Sequence, residues 1–565
     1  MKEIRAKNGA VSSDHPLSTD VGLNILRNGG NAFDAAVAAT LAQFVVNPAD
    51  CGLGGMGGAM LVHDASSCRT QAIDFSGCAP SAAAEDMFAL EPATLRSTVI
   101  SRELGVNVEN DEMTRGHKAI AVPGALAGLG VLHEKFGSRS WAELVAPAIK
   151  LACDGFPVSA SLANGVAGLA HSARDFPVTI EMFMPQGLPP RPGATIRLPG
   201  LAKTLQRIAE EGWTVFYKGD LAGRIAEYVR SNGGILAAKD IENYEARIVE
   251  PYTIQYRDVQ ISTPPLPSGG ASALQMLNIL SGFNLTQWDR ESPELIHLLA
   301  ETFKAVWKVR LEQFGDPDFV DVDIEHLLSS EHAALLREQI RADLPAEAPK
   351  QVSKGPAACT AHVCVMDNRR NAVSLTTSHG MAYGSLVTIP GLSIVMNHGM
   401  CQLDPRPGRP NSIASGKRPL NNMNPMMVHK EGKPLLIAGA IGGRYIPGAV
   451  AQLLVNLLDF GMSPGLALDV PRCHCEDAEP LLLEQRHIRA RRDEQSPYAE
   501  ERERIGFRIN WMNSDQLLRD LSAMGHSVEF SGSVGRTAHV IQVDEASGEL
   551  VSGHDPRGLC AAGGY

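Results

Sequence analysis

Residues 32–46 read AFDAAVAATLAQFVV, apolar on nearly every side of a helix. A helix with apolar side chains all round has no face for water and must be covered on all sides. Such a helix belongs either in a bilayer or inside a body several layers thick. Length excludes the bilayer, because no uncharged apolar run of about 18 residues occurs in the chain. Asn31 can cap this helix and Asn47-Pro48 ends it. A chain of 565 residues can build the surrounding body, either as several domains of about 100–200 residues or as one large α/β unit.

Charge narrows the partners. Lys+Arg number 51 and Asp+Glu 63, a net charge of −12 that repels phosphate backbones, so no nucleic-acid partner is expected. The start, MKEIRAKNGAVSSDHPLS, lacks the apolar core of a signal peptide. The ten cysteines are scattered, which fits free thiols. A cytoplasmic protein with no membrane association is the expectation.

Local patterns place further elements. His15–Arg27 reads as a helix stopped by Gly29-Gly30. Gly52-Leu-Gly-Gly-Met-Gly-Gly58 precedes a strand at Ala59–Val62. Glycines placed before a strand cannot be a dinucleotide fingerprint and predict a tight packing loop. Residues 76–122 look loop-rich. Ser140-Trp-Ala-Glu143 is a capping box for a helix reaching about Cys153, and helices are expected near 200–211, 218–232 and 270–282. From about 360 strands dominate: Ala361–Met366, Ala372–Thr377, Leu392–Met396, Met426–His429 and Leu435–Ala438. A helix over Pro447–Phe460 follows. The mixed-charge run Glu484–Arg508 predicts a solvated helix or surface insertion.

Two segments bear on chemistry. The strands flanking Asn368–Asn371 form a hairpin pattern, and counting outward from that turn places Thr360 opposite Ser378 or His379. Gly439-Ala-Ile-Gly442-Gly443-Arg444 joins a strand to a helix, where adjacent glycines can aim two backbone N–H groups at an oxyanion. By contrast, Cys473-His-Cys475 is too tightly spaced for a metal site and has no second pair, so no metal or other cofactor is expected. Asp316 and Asp318 read as turn residues.

These segments, with Gly29-Gly-Asn-Ala-Phe-Asp-Ala-Ala-Val37, Val122-Pro-Gly-Ala-Leu-Ala-Gly128, Pro267-Ser-Gly-Gly270, Lys417-Arg-Pro-Leu420 and the ending Asp555-Pro-Arg…Ala-Gly-Gly-Tyr565, resemble the γ-glutamyltransferase family of N-terminal-nucleophile hydrolases over nearly the whole chain. The resemblance implies an α+β fold, a four-layer αββα sandwich, made as a proenzyme that cuts itself before a threonine. The matching bond is Cys359–Thr360. It divides the chain into a large part, 1–359, and a small catalytic part, 360–565, which form one intertwined heterodimer. Thr360 is then nucleophile and, through its freed α-amine, its own general base near neutral pH. The resemblance makes Ser378 the hydroxyl beside the nucleophile and Gly442 and Gly443 the oxyanion hole.

The departures from the family pattern concern the substrate. Ser76 stands where an arginine grips the γ-glutamyl α-carboxylate, and Gln402 where an acid grips the α-amine. Asn421-Asn422 replace a serine pair, and Gly380 replaces an asparagine. His379 is a further candidate for substrate contact. Two lost charge-assisted contacts, each worth about 1.5–3 kcal/mol, predict poor γ-glutamyl binding. The stretch from Gln402 to Lys417 is short for a lid, which predicts an open site and hydrolysis over transfer. The expectation is therefore an autoprocessed amidohydrolase with an altered acyl pocket acting on a small amide. The alternatives are a genuine glutathione hydrolase using other anchors, such as Arg418 or Arg444, and an inactive relative that only binds.

Overall fold

The structure is a computed structural model and describes residues 3–93, 100, 104–342, 359–485, 498–505 and 514–565. Ala32–Val46 is a helix with all fifteen residues buried, opened by a capping box between Asn31 and Asp34. Its cover is a layer of helices on one side, including Pro16–Arg27, Ala125–Phe136 and Trp141–Asp154, and a β-sheet on the other.

That sheet has seven antiparallel strands, in the order Ala561–Gly564, Gly9–Ser13, Cys359–Asp367, Ala372–Gly380, Gly57–Asp64, Arg69–Asp74 and Arg247–Val249. A second antiparallel sheet packs against it, in the order Glu3–Ala6, Leu550–Gly553, Ala538–Val543, Lys433–Ala440, Met426–Lys430, Val259–Thr263 and Tyr252–Tyr256. Alternation along each strand separates the layers. Val363 and Val365 face the helices, while Cys364 and Met366 face Met427, Ile437 and Ile541 across the inter-sheet core. On the far side, Gly270–Leu280, Pro293–Gln313 and Ile446–Leu458 cover the second sheet. The fold is thus the αββα sandwich. Both sheets mix strands from before and after residue 359.

The glycine loop before Gly57–Asp64 is a packing device. A Cβ at Gly57 would come within 1.9 Å of the Phe75 carbonyl, and one at Gly58 within 2.0 Å of the Thr376 carbonyl. Only glycine permits three backbone segments to approach that closely. The expected helices and strands are present, mostly with shifted ends, and Leu392–Met396 shrinks to the two-residue strand Ile394–Val395. The described part of the charged run is mixed: Ala499–Arg504 is a helix with Glu500 and Arg504 exposed, but its other face is engaged. Glu501 accepts from the Ser463 N–H and hydroxyl, both at 2.7 Å, and buried Arg502 lies 3.3 Å from Asp469. Arg489, Arg491, Arg492 and Arg508 lie outside the described residues.

Candidate active site

The hairpin of Cys359–Asp367 and Ala372–Gly380 pairs Thr360 with Ser378, but pairs Cys359 with Gly380. His379 is therefore an extra residue opposite the Cys359–Thr360 bond, and the resulting bulge breaks the ladder at that peptide. Ser378 Oγ lies 3.5 Å from Thr360 Oγ1 and donates to the Cys359 carbonyl at 2.5 Å. The Gly380 N–H donates to Ser378 Oγ at 2.8 Å, fixing its lone pair. A serine hydroxyl has one proton to give and two lone pairs to accept with. Ser378 can thus polarise the Cys359 carbonyl while accepting from Thr360.

The small cavity at Thr360 has a volume of about 40 Å³ and is lined by Ser378, Gln402, Asn421, Asn422, Gly443 and Arg444, among others. A cavity of that size has room for water beside Thr360. Gly442 and Gly443 have φ of +123° and +65°, values that side-chain-bearing residues rarely adopt. Gly443 opens a 3₁₀ turn, where the first N–H groups have no intrahelical acceptor. Gly443 faces the cavity, whereas Gly442 packs against the Arg536 backbone behind it.

Not every candidate reaches the cavity. His379 does not, because strand alternation sends its imidazole to the opposite face from Ser378. There it packs on Gly52, fully buried, and burial followed by nearby His398 pulls its pKa down to about 3. Ser76 lies one layer behind. Its Oγ donates to the Gly58 carbonyl and accepts from Asn421 Nδ2, both at 3.3 Å. Asn421 Oδ1 accepts from the Met423 N–H at 3.0 Å, so this amide is engaged at both ends. Asn422 Oδ1 accepts from Arg310 Nη2 at 2.9 Å, which turns its NH₂ group away from that arginine.

The two alternative arginine anchors differ. Arg418 is held behind Ser76 by Asp74 at 3.3 Å, the Ser76 carbonyl at 3.2 Å and the Glu245 carbonyl at 3.0 Å. It does not line the cavity. Arg444 does, and it pairs with half-buried Glu476 while its guanidinium sits 4.5 Å above the Trp307 ring. Burial would raise the Glu476 carboxyl, but Arg444 outweighs it and holds the pKa at about 2. Sequence reasoning gave Arg444 no firm place, because its partner Glu476 is 32 residues away. No aspartate or glutamate among the described residues lines the cavity.

A family model described as gamma-glutamyltranspeptidase matches residues 18–565. A glutathione hydrolase proenzyme from Bacillus subtilis is 35% identical over 83% of this chain and 81% of its own length. An acylase ACY 1 proenzyme from Pseudomonas sp. (strain V22) is 36% identical over 84% of each chain. Among solved structures, a cephalosporin acylase from Bacillus halodurans superposes with a TM-score of 0.84 at 27% identity, covering 100% of this chain and 97% of that one. No helix among the described residues is long and apolar enough to cross a membrane.

Proposed function

We infer the function from one premise: this chain belongs to the gamma-glutamyltranspeptidase family of autoprocessed N-terminal-nucleophile hydrolases. It is an amide-bond hydrolase or transferase of that family, and its acyl pocket selects a group other than γ-glutamyl. The observation that carries this reading is the composition of the cavity wall. Beside Thr360 stand the neutral amides Gln402, Asn421 and Asn422 and the cation Arg444, and no carboxylate among the described residues lines the cavity to meet an α-ammonium. An acyl group with an anionic or polar end and no α-amine suits that wall.

Maturation begins with attack of Thr360 Oγ1 on the Cys359 carbonyl carbon, which Ser378 polarises. The C–N bond breaks in favour of an ester, and water then opens the ester to give a Cys359 carboxylate and a free Thr360 α-amine. The bulge at this peptide supports that step, because a regular ladder would hold the carbonyl in cross-strand pairing. In turnover the α-amine takes the Thr360 hydroxyl proton, Thr360 Oγ1 attacks the substrate carbonyl, and the Gly443 N–H steadies the oxyanion. The protonated amine delivers its proton to the leaving amine, and water releases the acid. The stretch from Gln402 to Lys417 folds back on itself through Lys417 Nζ and the Pro410 carbonyl, 2.7 Å apart, rather than over the cavity. That supports ready access of water, and hence hydrolysis over transfer.

The test is a panel of γ-glutamyl, glutaryl, succinyl and oxamyl amides offered to processed enzyme. The expected result is turnover of an acyl group without an α-amine. Efficient glutathione hydrolysis, with kcat/KM of about 10⁴ M⁻¹s⁻¹ or more, would defeat the altered pocket.

A further inference from the structure

The helix Pro293–Gln313 has two jobs. Its C-terminal half serves the cavity, with Trp307 beneath Arg444 and Arg310 bonded to Asn422. Two turns earlier it carries His297 and Glu301, four residues apart and therefore on one face. His526, from the turn between Ser514–Ala523 and Val528–Ser531, meets them there. Its Nε2 lies 2.8 Å from His297 Nδ1 and 4.0 Å from Glu301 Oε1. One donor atom from each of the three residues falls within 4.8 Å of the others. His526 and Glu301 are buried, and His297 is half-buried.

The orientation of His526 is fixed from behind. Its Nδ1 faces Glu479 Oε1 at 2.8 Å, and a carboxylate only accepts, so Nδ1 carries the proton. Glu479 is itself held by the Leu481 and Ser527 N–H groups at 2.8 and 3.0 Å. A carboxylate that fixes one imidazole nitrogen so that the other presents its lone pair is the usual support of a metal-binding histidine. Here the lone pair at Nε2 points at His297 and Glu301. Lys304 bridges Glu301 at 2.7 Å and Glu479 at 2.5 Å, so two carboxylates face one ammonium. Nearby Cys475 is turned to the Ala478 and Pro480 carbonyls.

We propose that His297 Nδ1, Glu301 and His526 Nε2 form a binding site for a divalent transition metal, zinc above all. Two imidazole nitrogens and one carboxylate suit zinc, not calcium or magnesium, which take oxygen ligands. Three protein ligands leave the fourth position to water. On binding, the His297 proton moves from Nδ1 to Nε2, with no net release. The site ties the active-site helix to the 479–481 segment and the 526 turn. The neighbouring Lys304 charge, shared between Glu301 and Glu479, opposes a second cation and so weakens binding.

The test uses untagged full-length protein, stripped with chelator and titrated with Co²⁺ and Zn²⁺. One equivalent of Co²⁺ should give the visible bands of a four-coordinate site, and Zn²⁺ should raise Tm and displace it. His297→Ala, and separately His526→Ala, should weaken binding at least tenfold. X-ray absorption on the zinc-loaded unmodified protein, which needs no variant to fold, should show imidazole scattering and nitrogen or oxygen neighbours at about 2.0–2.1 Å. Sulfur at about 2.3 Å, retained binding in a folded double variant, or no saturable binding would each overturn the site. None of these outcomes depends on which amide the enzyme cleaves.

Discussion

The two walls of the Thr360 cavity are built differently. The reaction wall is backbone and hydroxyl: the bulged peptide before Thr360, Ser378 holding the Cys359 carbonyl, and Gly443 at positive φ. The recognition wall is side chain: Gln402, Asn421, Asn422 and Arg444, with Ser76 bonded to Asn421 from behind. Backbone geometry is set by the two sheets and resists substitution, whereas a side-chain wall changes one residue at a time. A single fold can therefore keep one reaction and exchange its acyl group, provided the two walls share few atoms.

The largest break is Thr360→Ala, which removes the proposed nucleophile. It should leave one 60.4 kDa chain without activity, while the natural protein yields parts of 359 residues and, by 565 − 359, 206 residues. N-terminal sequencing of the small part should begin Thr-Ala-His, and any other start would move the nucleophile elsewhere. Next comes selectivity. γ-Glutamyl p-nitroanilide should fall about 10²–10⁴-fold below an amide without the zwitterion, from two absent contacts of about 1.5–3 kcal/mol each. Gln402→Asp should narrow that gap from the recognition side alone, by a lower KM for the γ-glutamyl substrate. Ser76→Arg is the poorer probe, since its guanidinium would enter a buried space beside Arg418, whose partner Asp74 is already engaged.

Gly443→Pro attacks the reaction wall. It deletes one N–H donor and should lower turnover per processed molecule about 10²–10³-fold, with the preference among acyl groups unchanged. A shifted preference would mean that the walls are not separable. The smallest effect comes from acid. Burial would raise the Asp555 carboxyl, but Arg472 and Arg557 hold it down at about 2. A depressed carboxyl contributes stability in full above its unfolded pKa of about 3.9 and loses it as pH falls through about 2. Fluorescence-monitored unfolding should show a loss of about 2 kcal/mol across that window. Asp555 accepts from the Ala538 N–H in the second sheet, so acid should weaken the frame before it alters selectivity.

What the sequence revealed followed from local rules. The buried helix, its Asn31 cap and the Thr360–Ser378 pairing rest on period, capping and turn chemistry within short windows. The packing loop at Gly52–Gly58 was legible because glycines before a strand exclude the dinucleotide motif. The misplaced residues depended on distant partners. His379 looked like a site residue because it adjoins Ser378, but a bulge and Gly52 decide where its ring goes. Ser76 likewise stands outside the cavity lining, where its hydroxyl accepts from Asn421, 345 positions away. Helix Pro293–Gln313, which carries Trp307 and Arg310 to the site, was missed, although Ser292 and Pro293 mark its start.

The mixing of strands from both sides of residue 359 in each sheet has a consequence for the life history of the molecule. In the nucleophile's sheet, Gly9–Ser13 lies between Ala561–Gly564 and Cys359–Asp367, so a segment from before the cut is clasped on both edges by segments from after it. The other sheet begins and ends with strands from before the cut. Hydrolysis at the proposed Cys359–Thr360 bond would therefore produce no fragment able to leave without dismantling both sheets. The uncut chain folds as a first-order process, since every strand is tethered to its neighbours. Once cut, an unfolded molecule must find its other half by collision, with interior strands exposed while it searches. Maturation thus acts as a ratchet: the protein assembles once, as a precursor, and afterwards persists by how slowly it comes apart.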